Sequence, residues 1–181
     1  FQIRIMMHAF KSLALIGLRG SGKTSLGTFL AKKLDFAFFD TDEVFKNKEK
    51  RSIAEFVAQN GWEAFRQREE EILSEMPQSQ AVVSCGGGIV LREKNRLCLK
   101  QSFFTVFLDV PVQELVQRLN RDLKKDQRPA FTDKSLAEEM SELHSARLSL
   151  YLEACRYRLQ QHEGLEREAD LVLKQYADFL K

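Results

Sequence analysis

The chain has few cysteines and no spaced set of histidines, and this shortage excludes several kinds of site. The cysteines are Cys85, Cys98 and Cys155, an odd number without a Cys-x-x-Cys pair. A disulfide framework and a zinc site are therefore both disfavoured. Reduced, unpaired thiols are typical of a cytoplasmic protein, and we expect that location.

A long apolar run and a strong charge of one sign are also missing. The longest apolar run near the start, LALIG at residues 13–17, is too short for a signal peptide or a membrane span. We therefore expect no membrane partner. Charged residues make up 30% of the chain, but the net charge is only +2. This balance does not indicate a polyanion partner, so no nucleic acid partner is expected.

Length and pattern predict one domain over residues 1–181. The 181 residues, 44% of them hydrophobic, are enough for one packed core and too few for two typical domains. The sequence contains no internal repeat, low-complexity tract or linker. The opening residues, FQIRIMM, receive no role.

Short apolar runs alternate with longer amphipathic segments along the chain. This alternation predicts an α/β fold in which helices cover both faces of a parallel sheet. The predicted strands cover residues 12–17, 36–39, 81–84, 103–108 and 156–160. The predicted helices cover the segment after residue 24, residues 53–60 and 62–76, the segment after Pro111, and residues 135–153 and 166–180.

The strongest motif is GLRGSGKT at residues 17–24, which matches the phosphate-loop pattern G-x-x-x-x-G-K-[ST]. Its glycines let backbone N–H groups point at phosphate oxygens, and the following helix contributes its positive end. Lys23 would bridge the β- and γ-phosphates, and the Thr24 hydroxyl would ligate Mg²⁺. The alternative is a chance turn, which the flanking strand and helix disfavour.

Two acids follow the second predicted strand in the motif DTDE, residues 40–43. They emerge at the same carboxyl edge of the sheet as the phosphate loop, where such sheets bind ligands. We expect Asp40 to hold Mg²⁺ through water and Asp42 to face an acceptor hydroxyl. The alternative is that Asp42 or Thr41 only caps a helix.

Two arginines occupy positions where a charge is costly. Arg66 precedes Glu69 by three residues on a semi-apolar helix face, either as an internal ion pair or as a guanidinium held out toward a ligand. Arg147 interrupts an apolar stripe on a later helix, so it needs an anionic partner. A purely structural pair remains the alternative for both.

The segment RLNRDLKKDQRPAF, residues 118–131, is basic and lacks a clear periodicity. It is either a solvated connection or a mobile flap that delivers a guanidinium to a transferring phosphoryl group and excludes water. Nucleic-acid binding is a third reading, which the lack of stacking aromatics disfavours.

In chain order, GLRGSGKT, DTD, FRQRE, GGG, RP and RLSLY together resemble the shikimate kinase family of nucleoside-monophosphate-kinase-like P-loop enzymes. The resemblance spans about residues 13–159. It implies a three-layer α/β/α P-loop kinase fold, a five-stranded parallel sheet in the order 2-3-1-4-5, and a mobile lid at residues 118–134. It also implies a substrate-binding helical region at residues 43–76 and a monomer.

The resemblance implies transfer of the γ-phosphoryl group of ATP to the 3-hydroxyl of shikimate, with Mg²⁺, on the route to chorismate and the aromatic amino acids. The implied catalytic residues are Lys23, Asp42 and Arg128. The implied nucleotide-binding residues are Gly20, Ser21, Gly22, Lys23, Thr24, Ser25, Arg121, which stacks on adenine, and Arg128, the lid arginine. Thr24 and Asp40 are the implied metal ligands. The implied shikimate-binding residues are Asp42, Arg66, Gly86, Gly87, Gly88 and Arg147.

The glycine run Gly86 to Gly88 costs backbone entropy, so something must need it. A phosphate cradle is already provided by residues 17–24. We interpret the run as the floor of the acceptor pocket, which brings bare N–H groups against the hydroxyls. Gly87 is the best-matched residue, where a side chain would occupy the place of the ring.

Two departures from the family pattern concern the nucleotide side. The lid reads RPAF where the family commonly has Arg-Pro-Leu-Leu, and the segment QHEGLER at residues 161–167 lacks the usual adenine-contacting proline. Arg167 is only a weak candidate there.

A gluconate or nucleoside monophosphate kinase would share the loop and lid but lack the Arg66, glycine and Arg147 set. A GTP switch would need Asn-Lys-x-Asp, and the nearest match, NKEK, ends in Lys50.

Overall fold

The centre of the protein is β1, whose four residues have no exposed surface. The computed structural model describes residues 11–122, 135–160 and 164–181. Its five strands are β1 (Leu13–Ile16), β2 (Ala37–Asp40), β3 (Ala81–Ser84), β4 (Phe104–Leu108) and β5 (Tyr157–Leu159). They form one sheet in the order β2-β3-β1-β4-β5, and every pairing is parallel. The predicted strand order is confirmed.

The helices are α1 (Lys23–Leu34), α2 (Thr41–Glu49), α3 (Ile53–Glu75), α4 (Glu93–Ser102), α5 (Val112–Asp122), α6 (Leu136–Ala154) and α7 (Leu165–Phe179). A short 3-10 helix, Ile89–Leu91, precedes α4. Two of the helices begin with a capping box, in which a serine and the glutamate three residues later bond each other's backbone N–H groups. The pairs are Ser52 with Glu55 for α3 and Ser135 with Glu138 for α6.

Successive side chains of the buried strands pack into two separate hydrophobic cores, one on each face of the sheet, as expected for a sheet covered on both faces. Leu13 and Leu15 pack in a core with residues of α1 and α7. Ala14 and Ile16 point to the other face, into a core built with residues of α2 to α6. The three-layer α/β/α architecture is therefore confirmed.

The structure refines the predicted elements at several places. The break predicted between residues 60 and 62 is present as Gly61, whose φ of 80° and ψ of 167° interrupt the α-helical geometry inside α3. Only glycine adopts that backbone region readily. Helix α4 was not predicted, because its sequence EKNRLCLKQS offers few apolar residues to set a helical period.

The three cysteines are free thiols, as predicted. Among the helices in the described part of the chain, none combines the length and the apolar character needed to cross a lipid bilayer.

Candidate active site

Three loops meet at the carboxyl edge of the sheet because of the order of the strands. The phosphate loop follows β1, the motif DTDE begins with the last residue of β2, and the glycine run follows β3. Since β3 lies between β1 and β2, the glycine run lies between the phosphate loop and the acids. The sheet thus places the sequence-predicted nucleotide and acceptor residues side by side.

The phosphate loop is tightly closed around its own lysine. Gly20 and Gly22 have φ values of 77° and 94°, in the left-handed region that favours glycine. The Lys23 ammonium donates to the carbonyl oxygens of Gly17 and Leu18, at 2.9 and 2.8 Å. Carbonyl dipoles therefore hold the charge inside the loop.

Burial lowers the pKa of Lys23 to about 8, and the negative charges of Asp42 and Asp40 oppose this shift. A charged ammonium loses much of its solvation inside the loop, and the carbonyl oxygens replace only part of it. A bound anion would therefore stabilise the charged form of Lys23.

Helix α5 supplies an arginine to the phosphate loop that the sequence analysis did not identify. The Nη1 atom of Arg118 lies 3.4 and 3.3 Å from the carbonyl oxygens of Gly20 and Ser21. Its Nη2 donates to Glu114, one turn earlier, at 2.5 Å. Arg118 follows the buried Leu115 by three residues and therefore shares the inward side of α5. That spacing is the sequence signal that could have identified Arg118.

A cleft of about 590 Å³ opens beside the phosphate loop. Its lining residues are Gly20, Gly22, Lys23, Thr24, Ser25, Arg118, Arg121, Gly164, Leu165 and Glu168. Arg121 thus lies on the same cleft as the phosphate loop, and its stacking on adenine stays a prediction. The first turn of α7 contributes Leu165 and Glu168 to the lining, while Arg167 is exposed outside it.

Asp40 joins the first and second loops. Its Oδ2 accepts a hydrogen bond from Thr24 Oγ1 at 3.1 Å. Its Oδ1 accepts from the backbone N–H groups of Asp42 and Glu43, which makes Asp40 the N-cap of α2. The capping alternative considered for Asp42 or Thr41 therefore applies to the residue before them.

Two of the three glycines leave room for acceptor-site side chains. A Cβ at Gly86 would lie 2.7 Å from Asp42 Oδ1 and 3.0 Å from Glu69 Oε1. A Cβ at Gly88 would overlap the guanidinium of Arg66. These two positions explain why glycine is needed in the run.

Gly87 is less crowded than its two neighbours, and its expected place beside the acceptor ring stays a prediction. A Cβ there would meet only ordinary contacts of 3.5 to 3.8 Å, with the backbone of residues 17–19. It would point at the phosphate loop. The N–H of Gly86 is not bare as expected, because it donates to Thr41 Oγ1 at 2.9 Å.

Arg66 and Glu69 form an ion pair within α3, one of the two alternatives considered for them, with Nη1 2.7 Å from Oε2. Glu69 is buried. Burial raises the pKa of Glu69, and the Arg66 charge opposes the shift. The guanidinium also lies 5.1 Å from the Phe65 ring centroid and 5.4 Å from that of Trp62. One carboxylate and two rings thus hold Arg66 against the glycine run.

Arg147 reaches the same run from α6. Its Nη1 donates to the Gly87 carbonyl oxygen at 2.9 Å. Within residues 11–122, 135–160 and 164–181, no carboxylate oxygen lies within 4.0 Å of its guanidinium. The structure thus brings Arg66, Arg147, Asp42 and the glycines together, but gives Arg147 a carbonyl partner in place of the expected anion.

Burial raises the pKa of the Cys85 thiol, beside the glycine run. A protonated, buried thiol is a packing group and no nucleophile.

Arg128 and residues 123–134 of the expected lid lie outside the described residues, as do residues 161–163 of the adenine segment. In the described part of the chain, no three His, Cys, Asp or Glu residues form a metal-binding group.

A phosphate loop at the carboxyl edge of a 2-3-1-4-5 sheet, beside a second loop lined by arginines and an aspartate, defines a P-loop small-molecule kinase. The family model described as shikimate kinase matches residues 19–178. The chain is 40% identical to shikimate kinase 2 of Sodalis glossinidius (strain morsitans), over 90% of this chain and 94% of that protein. It is 41% identical to the shikimate kinase of Nitratidesulfovibrio vulgaris, over 79% and 82%.

Solved structures agree with this assignment. A shikimate kinase from Acinetobacter baumannii in complex with shikimate matches with a TM-score of 0.83 and 29% identity, over 97% of this chain and 96% of that one. The chain belongs to the shikimate kinase family.

We predict that Lys23 makes the stability of the protein depend on pH above about 8. The unfolded chain holds a proton on Lys23 up to its ordinary pKa of 10.5, whereas the folded chain releases it near 8. Since the unfolded state binds more protons in this window, the free energy of unfolding contributed by Lys23 rises with pH from about 8 to 10.5.

Thermal unfolding of the wild type and of Lys23→Met between pH 7 and 10 tests this. The wild type should gain stability relative to the variant as the pH rises through 8, because methionine carries no proton to release. A difference in melting temperature that stays constant over this range would contradict the assignment.

Proposed function

We propose that the protein transfers the γ-phosphoryl group of ATP to the 3-hydroxyl of shikimate, giving shikimate 3-phosphate and ADP. The observation that carries the proposal is the convergence of Arg66, Arg147 and Asp42 on the glycine run, next to the phosphate loop. Two guanidiniums and one carboxylate suit a ligand that bears both a carboxylate and hydroxyl groups. The product serves the route to chorismate and the aromatic amino acids.

On the nucleotide side, backbone N–H groups of residues 20–25 and the N-terminus of α1 receive the phosphates. Lys23 exchanges carbonyl partners for phosphate oxygens, which raises its pKa again and keeps it charged during transfer. Arg121 lies on the cleft where the adenine ring would stack. Arg128 is proposed to reach the phosphates from the lid.

Thr24 and Asp40 fit a Mg²⁺ site. Mg²⁺ prefers oxygen ligands and is commonly held by one or two protein groups together with substrate phosphates and water. Thr24 Oγ1 and Asp40 Oδ2 are oxygen donors 3.1 Å apart at the edge of the phosphate loop. When bound, the ion would neutralise negative charge on the phosphates.

On the acceptor side, Arg66 and Arg147 bind the shikimate carboxylate, which supplies the anion that Arg147 lacks among its described protein partners. Charge-assisted guanidinium bonds of this kind are strong and directional. Asp42 is oriented by the start of α2 and receives a hydrogen bond from the reacting hydroxyl. The protein thus catalyses by alignment and charge stabilisation, because phosphoryl transfer needs little covalent participation.

A shikimate-dependent assay tests the proposal directly. Coupled detection of ADP should show turnover with shikimate and ATP, and none with gluconate or nucleoside monophosphates. GTP in place of ATP should support less turnover. Turnover with gluconate alone would overturn the acceptor assignment. That the protein works as a Mg²⁺-dependent monomer in the cytoplasm, without nucleic acid, stays a prediction.

Replacing Arg147 should weaken shikimate binding with little effect on ATP. In Arg147→Gln we expect the KM for shikimate to rise by about ten- to a hundredfold, since a hydrogen bond to a charged group contributes about 1.5–3 kcal/mol. The KM for ATP should stay within about twofold of the wild type, because the hydrogen bond of Arg147 goes to the glycine run, at the Gly87 carbonyl oxygen.

Arg156→Gln is the matched control, because Arg156 is exposed and its guanidinium lies over the Phe179 ring, away from the site. Unchanged shikimate kinetics in Arg147→Gln, equal to those of the control, would remove Arg147 from the carboxylate clamp.

The glycines should differ in their tolerance of alanine. Gly88→Ala should raise the KM for shikimate at least about tenfold, because the new methyl displaces the Arg66 guanidinium. Gly87→Ala should have a smaller effect on shikimate, because its methyl meets only ordinary contacts. Steady-state kinetics with both substrates would measure this; a larger shikimate defect in Gly87→Ala would place the acceptor ring against residue 87 after all.

A further inference from the structure

Tyr151 carries a buried hydroxyl for which the proposed reaction gives no role. It lies on α6 one turn after Arg147, and the residue has no exposed surface. Its hydroxyl donates to the carbonyl oxygen of Gly87 at 2.6 Å. A core position of this kind could hold phenylalanine without loss of packing, so the hydroxyl calls for a separate explanation.

The ring of Tyr151 is firmly held. It stacks on Phe107 of β4, with ring centroids 4.7 Å apart and an angle of 16° between the planes. Burial raises the pKa of Tyr151 to about 12. The hydroxyl therefore keeps its proton at neutral pH and remains a hydrogen-bond donor in a fixed place.

The same carbonyl oxygen is the acceptor for Arg147, whose Nη1 lies 2.9 Å away. A backbone carbonyl has two lone pairs, so it can accept both bonds at once. The guanidinium has five N–H donors in a rigid planar group, so using one of them on Gly87 restricts the directions in which the others can point. The orientation of Arg147 thus depends on the orientation of the Gly87 peptide.

The Gly87 carbonyl lies in the middle of a turn that the Ile89 N–H closes by donating to the Gly86 carbonyl oxygen at 3.0 Å. That bond fixes the ends of the turn more than its central peptide, whose orientation differs between turn types I and II. Gly86, before it, is held by Thr41 Oγ1, but glycine at position 87 permits rotations that a residue with a side chain would resist. Tyr151 anchors this carbonyl to the rigid centre of the sheet through Phe107. Its bond would keep the peptide in place when Arg147 turns its donors toward a ligand.

We propose that Tyr151 is a positioning residue for the acceptor: it fixes the Gly87 carbonyl and, through it, orients the Arg147 guanidinium before shikimate binds. This inference rests on the proposed function. It predicts that the hydroxyl affects shikimate affinity specifically, whereas a tyrosine serving only the core would affect stability alone.

Tyr176 provides a matched control on the other face of the sheet. It is buried, its hydroxyl donates to the Lys11 carbonyl oxygen at 2.6 Å, and its ring packs edge-on against Phe104. Tyr176→Phe therefore removes a hydrogen bond of the same type and length, far from the glycine run. Both phenylalanine variants keep their ring and lose one oxygen atom.

The experiment measures melting temperature, the KM for each substrate, and shikimate affinity by calorimetry for the wild type, Tyr151→Phe and Tyr176→Phe. We expect similar drops in melting temperature for the two variants. In Tyr151→Phe the KM and the Kd for shikimate should rise roughly three- to tenfold, the range of one net hydrogen bond. In Tyr176→Phe both should equal the wild type, and the KM for ATP should be unchanged in both.

A double variant separates positioning from general loosening of the site. If Tyr151 acts through Arg147, the Tyr151→Phe change should weaken shikimate binding little further once Arg147→Gln is present. Full additivity of the two changes, or a Tyr151→Phe variant indistinguishable from Tyr176→Phe, would overturn the inference while leaving the proposed function intact. A wild type without shikimate binding and turnover would overturn both.

Discussion

The burial of β1 between β3 and β4 determines where every functional group of this protein can lie. All its residues are inaccessible to solvent, and both edges of the strand are occupied by parallel partners. Parallel pairing forces the strands to end on the same edge, so the loops that follow them meet there. The phosphate loop follows the central strand, and its neighbours can only be the loops after β3 and β4.

A second regularity concerns the charges of the site. Lys23 and Arg147 both bond to backbone carbonyl oxygens, and in the described residues no carboxylate oxygen lies within 4.0 Å of either cation. A carbonyl dipole compensates only part of a full charge. Both cations therefore retain an attraction for anions, one at the phosphate loop and one at the glycine run. Arg66 differs in that an ion pair with Glu69 holds its guanidinium in place.

Local motifs made part of this site predictable from the sequence. The phosphate loop, with Lys23 and Thr24, needs only a strand, a glycine-rich turn and a helix, all readable within a few residues. The buried-charge argument also found Arg66 and Arg147, since a charge on an apolar helix face needs a partner. The strand order was predicted only through the family resemblance, because no local signal specifies which strands become neighbours.

The contacts that tertiary structure creates were not predictable in the same way. Tyr151 follows Arg147 by four residues and so shares its helix face, but its bond to Gly87 joins residues 64 apart in sequence. Thr41 and Gly86 are 45 apart. The two contacts of Asp40 were not predicted either: one carboxylate oxygen accepts from the backbone at the start of α2, and the other accepts from the Thr24 hydroxyl. Ordering a free carboxylate on binding would cost about 0.5–1.5 kcal/mol of rotamer entropy. Because folding has already immobilised Asp40, a ligand arriving at the phosphate loop meets a preorganised oxygen and does not have to order one.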